Sequence, residues 1–468
     1  MRAGDGADLV TATLRRGLAL LMLLLLCACS TVRPWQNLPL QPTARAQVAA
    51  PVPAEEDRSL LVVVTVSGGG ARAAAFGYGV LDALRQTRVH WHGRDESLLD
   101  EVDVISGVSG GSIIAAYYAA FGAETFPAFE QKFLHQNFQD SLISNMTDFS
   151  SLHDLSSPWF GRTHLLARRL DELYKGKTFG DLSNHPRQPR LLISATDLSL
   201  GSSFEFTWGQ FALICSDLAS VPLSFAVAAS SAVPIALSPM MLKNHNDTCV
   251  QPVADVKHAA RSDYRVRLLR DNQRTYLDAK ARPYIHLVDG GLADNLGLRS
   301  LLDRSQADGG LRDSVRNVSQ TPIQKLVIIA VNAERDPSER IDATDTVPGT
   351  LSVMDALLFG SGARATQETL GLLSDTAQTW RQELRRAARG GKDVFTPDAS
   401  IHVINVNLRD APELLGRSAL LQIPTAFSIF RGDVDRLIKA GRHILLASPE
   451  FQDLLVSLAA GRPTVAGE

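Results

Sequence analysis

The chain has 468 residues, 45% of them hydrophobic and 21% charged, which is too apolar for a disordered protein and enough to bury one large core or two ordinary ones. Its 47 basic residues nearly balance 50 acidic ones, for a net charge of -3. No basic stripe interleaves with aromatics, so nucleic acid is excluded as a partner class.

Arg15 and Arg16 precede GLALLMLLLLCAC. This block is shorter than a ~20-residue membrane span and fits the apolar centre of an export signal. Leu26-Cys27-Ala28-Cys29 resembles the lipobox of bacterial lipoproteins, with Cys27 where Ala, Ser or Thr is usual. That resemblance implies a signal peptide over 1–28, a lipidated Cys29 as membrane anchor and, because Ser30 rather than Asp follows, an outer-membrane address facing the periplasm. An ordinary cleaved signal or an uncleaved anchor is the alternative. Prolines 34, 39, 42, 51 and 53 suggest an extended tether over 29–58. Cys215 and Cys249 are the other two cysteines; export permits a disulfide between them, and two buried free thiols fit as well.

The body alternates strand-like and helix-like segments. Continuous apolar runs at 60–66, 102–105, 191–195, 285–288, 325–331 and 401–406 read as strands covered on both faces, which predicts a mostly parallel sheet between helical layers. Ligands gather at the carboxyl ends of such strands.

Three loops there carry chemistry. Gly107-Val108-Ser109-Gly110-Gly111 is a GxSxG turn between strand and helix, which pushes a serine hydroxyl toward substrate and aims helix N–H groups at developing negative charge. SGGGARAAAFG, from Ser67, nearly matches a dinucleotide fingerprint, but the second strand ending in an acidic residue is missing. The amides of Gly69 and Gly70 suit an oxyanion instead. In YIHLVDGGLADNLGL, Asp289 ends a strand and Gly290-Gly291 turns the chain at once. None of the eleven histidines sits in a comparable turn, and His286 is expected in or near the core. A carboxylate shielded from water can serve as the serine's base.

In this order the three motifs resemble the patatin-like phospholipases, from about Leu60 to Leu298. The blocks ISATDLSLGSSFEF (193–206) and AVAASSAVPIALSPM (226–240) are also similar. Ser67 and Ala73 depart from the Asp and Gly usual at the ends of the family's first loop. The resemblance implies a three-layer α/β/α sandwich and a lipid acyl hydrolase without metal or cofactor. It makes Ser109 the nucleophile and Asp289 its partner, with Gly68, Gly69, Gly70 and Arg72 in the oxyanion loop. The catalytic core is placed at 59–300, and 301–468 is read as completing the same α/β domain. Acyl transfer, hydrolysis of soluble esters and lipid binding without turnover are the alternatives.

Toward the C-terminus, 350–389 reads as one or two helices broken at Gly360-Ser361-Gly362. Arg385, Arg386 and Arg389 read as cations at a helix end, and Leu357, Leu358 and Phe359 as packing residues.

Overall fold

The computed structural model describes residues 30–41, 59–91, 93–182, 188–249, 263–316, 321–336, 361–387 and 394–460, with positions 17, 342, 345–349, 353 and 356 beside them. The apolar run after Ser59 forms β1 (Leu60–Val66), buried along its whole length. Alternate side chains go to opposite faces: Leu60, Val62, Val64 and Val66 enter one core, Leu61 and Val63 the other. This period of two is why a seven-residue apolar run needs helices on both sides.

In chain order β2 (Arg88–Trp91) and β3 (Arg94–Ser97) form a separate hairpin. They are followed by β4 (Val102–Val108), β5 (Arg190–Asp197), β6 (Ser202–Glu205), β7 (Met240–Lys243), β8 (Tyr284–Val288), β9 (Ile323–Asn332) and β10 (Phe395–Asn407). The main sheet has the order β10-β9-β1-β4-β5-β8-β7, and β6 pairs with β5. From β10 to β5 the pairings are parallel; β6, β7 and β8 are antiparallel additions. The result is the expected α/β/α sandwich with a mixed, mostly parallel sheet.

Helices α1 (Gly70–Gln86), α2 (Gly110–Phe121), α3 (Leu223–Ser230) and α6 (Arg431–Ala447) pack into the larger core, while α4 (Arg299–Asp308) and α5 (Ser361–Ala387) cover the opposite face. Of the strands contributed from beyond residue 300, β9 lies directly beside β1 and β10 pairs with the far side of β9.

Two expectations change. First, residues 30–41 of the supposed tether are built into the body. Trp35 packs on Phe225 with ring centroids 4.8 Å apart, and the Asn37 amide donates to Ser216 Oγ and the Lys243 carbonyl, both at 2.8 Å. Second, His286 is exposed, because β8 alternates buried and exposed positions over its first four residues as a strand with one open face does. α5 begins at Ser361, inside the glycine break expected at 360–362, and carries Arg385 and Arg386 in its last turn as expected. Leu357, Leu358, Phe359 and Arg389 lie outside the described residues, as do Cys27, Cys29 and 42–58.

Candidate active site

Ser109 sits between β4 and α2 with φ 48° and ψ -122°, a left-handed conformation that costs a non-glycine residue about 1–3 kcal/mol and persists only where neighbours enforce it. They do. Its amide donates to Ser230 Oγ at 2.8 Å, and Ser230 Oγ donates to the Ser194 carbonyl at 2.6 Å. Its carbonyl accepts from the Ser112 amide at 2.9 Å and from Ser112 Oγ at 2.5 Å.

The surrounding glycines are demanded by backbone crowding. A Cβ on Gly107 would fall 2.5 Å from Ser112 Cα, one on Gly110 2.1 Å from the Gly70 carbonyl oxygen, and one on Gly111 2.3 Å from that of Val66. The start of α2 is therefore pressed onto the end of β1 and the first glycine loop.

That loop is held from three directions. The Ser67 and Gly68 amides donate to the carbonyls of Val331 and Asn295, at 3.0 and 3.1 Å, and the Ala71 amide donates to that of Ala426 at 2.7 Å. Gly68 is thus committed, whereas the Gly69 and Gly70 amides have no hydrogen-bond partner among the described residues. Gly69 (φ 141°) and Gly70 (φ 60°) take backbone conformations that suit glycine. Arg72, 2% exposed, donates from Nε to the Ala333 carbonyl at 2.8 Å and from Nη1 to that of Ile423. Its geometry is that of a brace for the loop. Burial, with help from Arg335, lowers its pKa to about 9.

Asp289 arrives differently from the expectation of a strand pointing at the common edge. β8 is antiparallel to β5, with Val288 opposite Thr196, while β4 ends with Val108 opposite Ser194. The chain leaving β8 therefore comes back along the sheet and delivers Asp289 beside Ser109. Its backbone is fixed by donation to the Ala232 carbonyl at 3.0 Å and by Thr196 Oγ1, which donates to its carbonyl at 2.8 Å. Gly290 is needed because its Cβ would stand 2.2 Å from the Ser194 carbonyl oxygen. Oδ1 accepts from the Gly291 amide at 2.8 Å; Oδ2 is buried with no hydrogen-bond partner among the described residues. Burial pushes the Asp289 pKa up to about 6, against the opposing pull of the Ser109 hydroxyl and the Gly291 amide. An alcohol beside a water-shielded carboxyl that titrates near neutrality is equipped for proton transfer.

These groups open on one narrow cleft, lined by Ser109, Asp289, Gly69, Asn295, Glu334 and Thr425 among others. Pro234, from the second similar block, also lines it. Sequence reading did not single out Ser230, Asn295 or Glu334. Ser230 lies in that quoted block and Asn295 six residues after Asp289, but their partners come from distant segments.

A family model for patatin-like phospholipases matches residues 64–302. The chain belongs to the patatin-like phospholipase family. Among solved structures this family member is similar to human GIVD cytosolic phospholipase A2, with 15% identity over 89% of this chain and 66% of that one, TM-score 0.47. The same human enzyme in complex with methyl gamma-linolenyl fluorophosphonate gives 14% identity, 86% and 59% coverage, TM-score 0.41. VipD from Legionella pneumophila gives 13%, 85% and 66%, TM-score 0.32. The chain spans no more than 66% of the length of these three. No curated protein matches it in sequence.

Away from the cleft, Cys215 and Cys249 are joined, with Cα atoms 6.1 Å apart. No helix among the described residues is long and apolar enough to cross a membrane. The one group of metal-like spacing among them, Glu130, His135 and Asp435, is not part of the cleft lining.

Proposed function

We propose that the protein is a serine acyl hydrolase cleaving fatty-acyl esters of lipids, at a membrane to which Cys29 anchors it. Asp289 takes the proton from Ser109 Oγ as that oxygen bonds to the ester carbonyl carbon. The Gly69 and Gly70 amides hold the oxyanion, and collapse breaks the ester C–O bond, the leaving alkoxide taking the proton from Asp289. Water then repeats the sequence on the acyl-enzyme, releasing fatty acid and regenerating Ser109. The observation that carries this reading is the buried Asp289 carboxyl, raised toward neutrality beside a conformationally strained serine.

Two further observations support work at a lipid surface. The Ser30 amide, one peptide bond after Cys29, donates to Ser156 Oγ at 2.9 Å, so an acyl anchor would hold the body close. The neighbouring helices Phe138–Thr147 and Phe149–Leu155 carry exposed Ile143, Phe149 and Leu152.

The test is labelling with a serine-reactive fluorophosphonate, paired with product analysis on defined phospholipids. Wild type reacts and releases free fatty acid, and Ser109→Ala does neither. Acyl chains recovered on an added alcohol would convert the reading to acyl transfer. An unreactive wild type would leave only a lipid-binding protein. Cell fractionation of wild type and Cys29→Ala checks the outer-membrane address.

A further inference from the structure

Glu334 follows β9 at the edge where the first glycine loop begins, and it lines the same cleft as Ser109 and Asp289. The residue is 5% exposed. Its amide donates to Asn332 Oδ1 at 3.1 Å, so the main chain there is fixed. The carboxyl is less well satisfied: both oxygens are buried without a well-formed hydrogen bond among the described residues, and the donor they feel most is the side-chain amide of Asn332. The nearby Arg72 guanidinium directs Nε and Nη1 to main-chain carbonyls. Burial raises the Glu334 pKa to about 7, with Asn332, Arg409 and Arg72 pulling the other way.

Two buried acceptor oxygens served by no more than one neighbouring amide are costly, and at the wall of a substrate cleft a further donor can come from the ligand. We propose that Glu334 receives the primary ammonium of a phospholipid headgroup, making ethanolamine-type lipids the preferred substrate class; this rests on the acyl-hydrolase reading above. A primary ammonium brings both a positive charge and N–H donors for the two carboxylate oxygens. A choline headgroup brings charge without an N–H and is usually held by aromatic faces. The cleft lining among the described residues contains no Phe, Tyr or Trp. A glycerol headgroup brings hydroxyls without the cation. Arg335 lines the same cleft and supplies a positive charge suited to the adjoining phosphodiester, so acid and base stand together as a zwitterion requires.

The experiment compares kcat/KM for phospholipids of identical acyl chains carrying ethanolamine, choline or glycerol headgroups, in mixed micelles, for wild type, E334Q and E334D. Wild type should favour ethanolamine over choline by about tenfold or more, the usual effect of a charge-assisted hydrogen bond. E334Q should bring that ratio close to one, and E334D should restore part of it. A second arm needs no turnover: calorimetric binding to Ser109→Ala of glycerophosphoethanolamine, glycerophosphocholine and free ethanolamine, expected to weaken in that order. Free ethanolamine binding as tightly as glycerophosphoethanolamine would overturn the headgroup assignment in favour of a bare amine site. Fluorophosphonate labelling of wild type reports the hydrolase reading separately. A labelled enzyme with no headgroup preference overturns the Glu334 assignment alone. With an unlabelled enzyme the hydrolase reading falls, and the binding order still decides the role of Glu334. Should E334Q fail to fold, the wild-type preference and the binding order decide, and their absence sinks the proposal.

Discussion

Gly110 stands with its Cα against the backbone of Gly70, leaving no room for a methyl group: a Cβ there would meet the Gly70 carbonyl oxygen, nitrogen and carbon at 2.1, 2.4 and 2.5 Å. The turn that carries Ser109 and the first glycine loop are therefore parts of one contact. Gly110→Ala must push them apart, at a cost of about 1–3 kcal/mol or more. In a denaturant melt its midpoint should fall, and fluorophosphonate labelling of Ser109 should drop with it. Gly371→Ala is the control. It lies inside α5 with open space around it, so it should gain about 0.5–1 kcal/mol from helix propensity and leave labelling unchanged.

Ser230 is expected to act on the chemistry without touching substrate. Ser230→Ala leaves the Ser109 amide without its acceptor and the Ser194 carbonyl without its donor. An orphaned buried group costs about 1–3 kcal/mol, here in a turn already held at positive φ. Labelling should slow by about tenfold or more. Ser230→Thr keeps the hydroxyl and should recover part of the rate; equal rates for wild type and Ser230→Ala would show that the turn is held without this bond.

Asp289 makes two opposite predictions for pH. As a base it must be ionised, so kcat/KM should rise with pH through a midpoint at about 6. Stability runs the other way. A carboxyl with a folded pKa above its unfolded one binds its proton more tightly when folded, so stability falls as pH rises from about 4 to about 6 and stays lower above. The rise from 3.8 to about 6, at about 1.4 kcal/mol per unit, is on the order of 3 kcal/mol. Asp289→Asn should therefore melt above wild type at about pH 8, and the gap should close near pH 4, while turnover falls on the order of 10⁴-fold. A well-folded variant that still turns over would remove Asp289 from the mechanism.

The Cys215–Cys249 bridge closes a 34-residue separation. Cys249→Ser should lower unfolding free energy by about 2–4 kcal/mol under oxidising conditions. Adding reductant should bring wild type down to the variant, and a wild type indifferent to reductant would show that the thiols are free.

The strands of the central sheet were legible because burial on both faces writes an uninterrupted apolar run. LLVVVTV at Leu60 and the run at Lys325 are read from sequence within two residues of their ends. β6 and β7 were not, since four residues such as Ser202–Glu205 carry no period of their own and are strands through pairing with β5 or β8. For the same reason His286 was misplaced: one open face is invisible until the strand's neighbours are known. Ser109 and Asp289 stand out in the sequence because glycines cluster around them. Ser230 and Glu334 do not stand out, because what they face comes from segments far away in the chain.

The loop that carries Gly69 and Gly70 is pinned by carbonyls of Ala333, Ile423 and Ala426, all beyond the last residue of the family match at 302. On a ribosome, a nascent chain that already contains both Ser109 and Asp289 still lacks these supports. On the hydrolase reading proposed above, the amide cradle would receive its last main-chain support only once Ala426 has been made.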